Sequence, residues 1–387
     1  MKPFPFLFLL LTVQVWAGDE TFWVAGTQGI YRGTVDAKTG KLGDVTQICP
    51  APSPNFLALS PDHSYLYASL NQTADAFEFQ AHNALKLLNE HPTGSTGACY
   101  VSVDATGHYL FIANYDGGNI TCLKIKSDGS LGDQTELIPF TGSGPDPKRQ
   151  TKPYAHSIYP DPENKFVYAC DLGTDSIWIY QFDPDKGTLT PATPPVVKAP
   201  PGSGPRHLAF SPDDKYVFVA NEMGHSVTSY SRNATTGELT TIGTISALTP
   251  DVPDEGVTTA EIVCHPSGKW VFVSNRGCDT LSVLAVGDDG KLSFVQEISA
   301  GVKFPRSFAL DANGHWLVAA GQKDGEIDVI GVDPTTGQLS STYQTSPVPG
   351  AICVLFPGKT ANSAPTPTHS SGKSDSDKET QQGRSND

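Results

Sequence analysis

The sequence has no CxxC pair, no Gly-x-Ser-x-Gly elbow and no histidines at ligand spacing. The first absence argues against a structural zinc site or thioredoxin-like chemistry, and the second against an elbow-borne serine nucleophile. The third leaves a metal site without support, so neither metal nor cofactor is expected. Positive charge is also scarce: 26 Lys and Arg against 41 Asp and Glu leave a net charge of −15. Such a field repels nucleic acid and anionic membrane surfaces, so neither is an expected partner. A small anionic ligand would need a local basic pocket, which makes any arginine aimed at a cavity a candidate.

Apolar runs of membrane-spanning length are missing too. The strongest run, Phe4 to Val15, follows Lys2 and ends at Val15-Trp16-Ala17. It is too short for a comfortable transmembrane helix and has the pattern of a secretory leader. Residues 1–17 are therefore expected to be removed, leaving an exported chain, periplasmic or secreted, that begins near Gly18 and does not insert in the membrane. No cysteine follows the run, which argues against a lipid anchor. Residues 360–387 carry almost no apolar side chains and are expected to form a disordered polar tail. The folded part is then 18–359. Its seven cysteines are Cys49, Cys99, Cys122, Cys170, Cys264, Cys278 and Cys353, an odd number, so at least one stays unpaired in a monomer. Cys170 takes the place of Ala113, Ala220 and Ser274 in the repeat below and reads as a small core residue; no disulfide is expected.

What is present is a repeat. The segments beginning at Phe56, Tyr100, Ser157, His207, Glu261 and Ser307 each give a short alternating strand, a polar turn, an aromatic and a second apolar strand. The aromatics are Tyr65, Tyr109, Phe166, Tyr216, Trp270 and Trp316, 44 to 57 residues apart. A third strand and a turn such as Asp333-Pro-Thr-Thr-Gly337 usually follow. Period-2 alternation with such turns means antiparallel strands, and four of them in roughly fifty residues make a propeller blade. Six copies are complete. Phe22 to Gly43 lacks a first strand, and Ala351 to Phe356 is an orphan strand of the first-strand pattern. Pairing the two would close the ring and remove two sheet edges. The predicted fold is all-β, a seven-bladed β-propeller closed by its N- and C-terminal strands in one blade.

In a blade, the start of the first strand and the end of the second share one face of the disc. Ten positions before each aromatic stand Asn55, Cys99, His156, Arg206, Ala260 and Arg306. Six positions after stand Asn71, Tyr115, Leu172, Glu222, Arg276 and Gln322. These columns are expected to ring one mouth of the channel, bringing a histidine, three arginines and a glutamate together from different blades. Any one of them alone reads as a solvated charge; falling together in two equivalent columns, they read as a site.

At these residues the sequence resembles the lactonase family of seven-bladed propellers, which includes 6-phosphogluconolactonase and the fungal carboxymuconate-lactonizing enzyme. The marks run along nearly the whole chain: Ala113-Asn-Tyr115-Asp-Gly-Gly118, Lys152-Pro-Tyr-Ala-His156-Ser and Asp171-Leu-Gly-Thr-Asp175. They continue in Gly204-Pro-Arg206-His-Leu, Val219-Ala-Asn-Glu222, Ser274-Asn-Arg276-Gly and Phe304-Pro-Arg306-Ser-Phe308. The resemblance implies a lactone hydrolase without a cofactor, acting on a small-molecule lactone, with His156, Arg206, Glu222 and Arg276 as its site residues. One departure is Pro153-Tyr154, where family members often have Pro-His; it puts the particular lactone in question.

Lactone opening needs a base for the attacking water, an acid for the leaving alkoxide, and charge or donors for the oxyanion. Glu222 and His156 can serve as base and acid in either order, and Arg206 and Arg276 can hold a substrate anion or the oxyanion. Arg306, Tyr115, Asn55 and Gln322 are expected to contact substrate. The same residues could run the lactonizing direction, and a non-catalytic binding propeller is a third reading, although a scaffold has no need of charged channel residues. A monomer is expected.

Overall fold

The computed structural model describes residues 18–81, 84–253 and 255–357. The leader expected at 1–17 and the tail expected at 360–387 lie outside the described residues. Seven four-stranded antiparallel sheets form the ring. Blade 1 joins Asp19–Gly26, Gly29–Asp36 and Thr46–Pro50 to the C-terminal strand Cys353–Leu355. Blades 2 to 7 follow in order over residues 56–92, 98–139, 155–198, 205–246, 258–299 and 305–347. The ring closes as the orphan strand predicts: Trp23, Val24 and Ala25 pair antiparallel with Leu355, Val354 and Cys353.

The core is divided into seven apolar clusters, each built from two neighbouring blades, one for every interface around the ring. Each sheet is thus covered on both faces, so its second strand is largely buried along its length rather than alternating. Tyr109–Asn114 and Phe166–Asp171 are buried at all six positions, whereas the outermost strand of blade 2, Leu85–Pro92, has no buried residue.

The repeated aromatic has a specific task at these interfaces. Tyr65, Tyr109, Phe166, Tyr216, Trp270 and Trp316 each lie against a hairpin glycine of the next blade: Gly129, Gly187, Gly237, Gly290, Gly337 and Gly40. All six glycines have positive φ, and a Cβ at any of them would sit 2.0–2.5 Å from the ring. Glycine is needed both for the turn and for the approach of the ring. Trp316 on Gly40 joins blade 7 to blade 1, and its Nε1 donates to the Ala37 carbonyl at 3.0 Å.

All seven cysteines are free. Among the described residues, no helix is long and apolar enough to cross a membrane.

Candidate active site

The inner strand of five blades departs from regular pairing at one point. Register breaks fall between Ala98 and Tyr100, Ala155 and Ser157, Pro205 and His207, and Pro305 and Ser307. The residues stepped over are Cys99, His156, Arg206 and Arg306. Blade 6 shows the same break between Thr259 and Ile262, around Ala260. A bulge leaves one residue unpaired and re-aims its side chain, and here it turns the predicted column toward one mouth of the channel.

The mouth holds a cavity of about 640 Å³ lined by Asn55, Asn71, Cys99, Tyr115, His156, Glu222, Arg276 and Arg306, among others. Arg206 does not line it. Its side chain is fully buried behind Glu222, with Nε 3.2 Å from Oε2. Arg276 Nη2 lies 2.9 Å from the same oxygen, and His156 Nε2 3.9 Å. Asn55 is fixed by its amide donating to the Ala98 carbonyl at 2.9 Å.

Gln322 is not brought to the cavity, contrary to the column. The backbone there keeps the repeat, the Gln322 amide bonding to the Phe304 carbonyl at 3.2 Å as the Tyr115 and Glu222 amides bond to Gly97 and Gly204, so the difference lies in the side chains alone. Phe304 lines the cavity instead, its ring 5.2 Å from the Arg276 guanidinium.

Two features lie outside the columns. Arg149, on the segment between blades 3 and 4, reaches Glu222 Oε1 with Nη2 at 2.6 Å. The only hint of it in the sequence is that the interval from Tyr109 to Phe166 is the longest of the repeat. The second feature is His207 with Glu261, paired at 2.7 Å one residue beyond the bulges. The corresponding positions of the other repeat copies are Phe56, Tyr100, Ser157 and Ser307, so a histidine and a glutamate were the exceptions available to be noticed. The His207 ring packs edge-on against Phe56, Tyr100 and His156, with centroids 5.7, 5.1 and 5.2 Å away.

Burial alone would raise the Glu222 carboxyl, but the guanidinium groups of Arg276, Arg206 and Arg149 outweigh it and hold it well below the usual range. His156 is pushed well below an ordinary histidine by burial, with Arg206, His207 and Arg306 adding to the effect. It is a neutral imidazole at neutral pH, and its Nδ1 is buried without a partner. Burial raises Glu261 to about 7 and pulls Arg276 down to about 10, where it still carries its charge at neutral pH. Arg306 makes no ion pair among the described residues. The mouth therefore gathers Arg149, Arg206, Arg276 and Arg306 around Glu222, with Asp116 as the other acidic residue lining the cavity. That is a local cationic surplus inside a chain of net charge −15.

Tyr154, the departure noted in the sequence, reaches His156 through one intermediate. Its ring lies 4.8 Å from Tyr115, whose ring is edge-on to His156 at 5.3 Å.

Residues 14–356 match the family model for lactonases of the seven-bladed β-propeller type. The chain belongs to this lactonase family. Among its lactonase relatives is the 6-phosphogluconolactonase of Bacillus subtilis strain 168, 31% identical over 87% of this chain and 96% of that protein. The 6-phosphogluconolactonase of Formosa agariphila is 27% identical over 87% and 97%. The solved structure of a periplasmic gluconolactonase from Pseudomonas aeruginosa superposes with a TM-score of 0.81 at 25% identity, covering 88% of this lactonase-family chain and 99% of the other.

Proposed function

We propose that this chain hydrolyses an anionic sugar lactone, of the 6-phosphogluconolactone kind, at the arginine-rich mouth of the channel. The observation that carries the reading is Glu222, an ionised carboxylate, facing a neutral His156 inside a cavity with surplus positive charge. Water loses a proton to one member of this pair as its oxygen bonds to the lactone carbonyl carbon. The ring C–O bond then breaks, and the leaving alkoxide takes up a proton supplied by the pair. Arg276 and Arg306 receive the negative charge of substrate and oxyanion, while buried Arg206 fixes Glu222. Similarity to proteins named 6-phosphogluconolactonase supports the phosphorylated lactone, and likeness to a gluconolactonase structure supports a sugar lactone more broadly. The leader pattern at 1–17 supports action outside the cytoplasm.

The test is acid release by the purified protein at neutral pH from 6-phosphogluconolactone and from gluconolactone. The reading expects rates well above spontaneous opening, with the phosphorylated lactone preferred. Release no faster than the spontaneous rate from either would leave a binding propeller.

A further inference from the structure

The two oxygens of Glu222 are held differently. Oε2 faces Arg206 and Arg276, whose side chains are 2% and 6% exposed. Oε1 is bonded by Arg149, whose side chain is 41% exposed and lines the cavity. Arg149 Nη2 also reaches the Tyr115 hydroxyl, at 3.5 Å.

The backbone under Arg149 is firmly tied. Asp146 Oδ1 accepts from the Lys148 and Arg149 amides at 2.7 and 2.9 Å. Next door, Gln150 Nε2 donates to the Leu172 carbonyl at 2.8 Å and to Asp175 Oδ1 at 2.7 Å. The guanidinium can therefore leave Glu222 by a side-chain rotation alone, with no loop movement.

Building on the function proposed above, we propose that Arg149 is a substrate-operated cover on Glu222. It masks Oε1 in the empty site and is drawn away by the anionic group of the lactone, so that the charge of the substrate switches on the carboxylate.

The physical case rests on which arginine can move. Arg206 and Arg276 are enclosed, and shifting either would strand a buried charge. Arg149 is half in water, so exchanging one oxyanion for another costs it little, and its planar fork suits a phosphate or carboxylate. Arg149, Arg206, Arg276 and His156 face Glu222 directly, with Tyr115, His207 and Arg306 beside them. Removing one of three cations raises the affinity of the carboxylate for a proton and strengthens it as a base. A neutral lactone offers Arg149 nothing in exchange and meets a covered carboxylate.

The test is Arg149→Leu, assayed on 6-phosphogluconolactone and gluconolactone, with Arg149→Lys as the charge-retaining variant. For the phosphorylated lactone, kcat/KM should fall roughly ten- to a hundredfold, the scale of one charged hydrogen bond. For the neutral lactone it should rise, and the acidic limb of its pH profile should move to higher pH. Arg149→Lys should lie between the parent and Arg149→Leu on both substrates. Equal losses on both lactones would overturn the cover and leave Arg149 as a positioning residue; no change on either would overturn it as well. If instead Glu222→Gln is fully active, it is the underlying reading that fails.

Discussion

Two buried arginine–carboxylate groups in this propeller are built on opposite plans. Arg232, at the end of the blade 5 strand Ser226–Arg232, pairs one-to-one with Asp161 of blade 4, and both side chains are 0% exposed. Each guanidinium nitrogen has a partner: besides the Nη2 contact to Asp161, Arg232 Nε donates to the Tyr168 hydroxyl at 3.2 Å and Nη1 to the Asp214 carbonyl at 3.4 Å. Asp161 Oδ1 accepts from the Lys165 and Phe166 amides at 2.7 and 3.1 Å. At the channel mouth one carboxylate, Glu222, is shared by three arginines, and His156 Nδ1, Arg206 Nη1 and Arg276 Nε have no partner. A charge group that is matched and hydrogen-bonded throughout serves the fold. One with surplus cations and unfilled donors, opening on a cavity, is arranged for a ligand that supplies the missing negative charge.

Exchanging each carboxylate for its amide should separate the two plans most sharply. Glu222→Gln should lower lactone hydrolysis by about two to four orders of magnitude, the scale of a lost acid–base group, and should also cost stability, because buried Arg206 and Arg276 lose their counter-charge. Asp161→Asn should leave Arg232 buried without its counter-charge and destabilise the chain by about 3–5 kcal/mol, while the folded fraction keeps its kcat. Steady-state kinetics and denaturant unfolding on both variants check this. A Glu222→Gln protein as active as the parent would erase the distinction.

Arg306→Leu probes the surplus itself. Since Arg306 makes no ion pair among the described residues, its loss breaks no salt bridge. KM for the phosphorylated lactone should rise roughly ten- to a hundredfold, with a much smaller effect on gluconolactone. Equal effects on the two lactones would show that Arg306 does not read substrate charge.

The smallest effect concerns Glu261, behind the mouth. Raised to about 7 by burial, it binds a proton more tightly in the fold than in the unfolded chain. The stability this gives is fully present below its ordinary value of 4.5 and is lost as pH rises through about 7. Arg206, Arg306, His207 and Ser307 are the polar groups around it. Thermal unfolding should show the parent losing a few degrees more than Glu261→Gln as pH is raised from about 5 to about 8. Parallel curves would contradict that account of the pair.

The sequence made the ring legible because each blade repeats one docking event, an aromatic laid on the glycine of its neighbour, and neither partner tolerates much change. The column of Cys99, His156, Arg206 and Arg306 was legible for a related reason: the same bulge recurs in five inner strands, so a position counted along the chain becomes a direction in space. Gln322 misled although its backbone keeps the repeat, its amide bonding to Phe304 as those of Tyr115 and Glu222 bond to Gly97 and Gly204; at that edge the cavity is lined by Phe304 instead. Arg149 belongs to no repeat, so counting could not reach it. Its position depends on Asp146, Gln150 and Asp175, which meet only once the segment between blades 3 and 4 is folded.

The central claim, that the mouth holds more positive charge than it neutralises and so takes an anion, is tested most directly by calorimetric titration with 6-phosphogluconate, the ring-opened product. The account predicts 1:1 binding at pH 7 that weakens as salt is added and weakens strongly in Arg306→Leu. No detectable binding, or binding indifferent to both salt and Arg306, would contradict it.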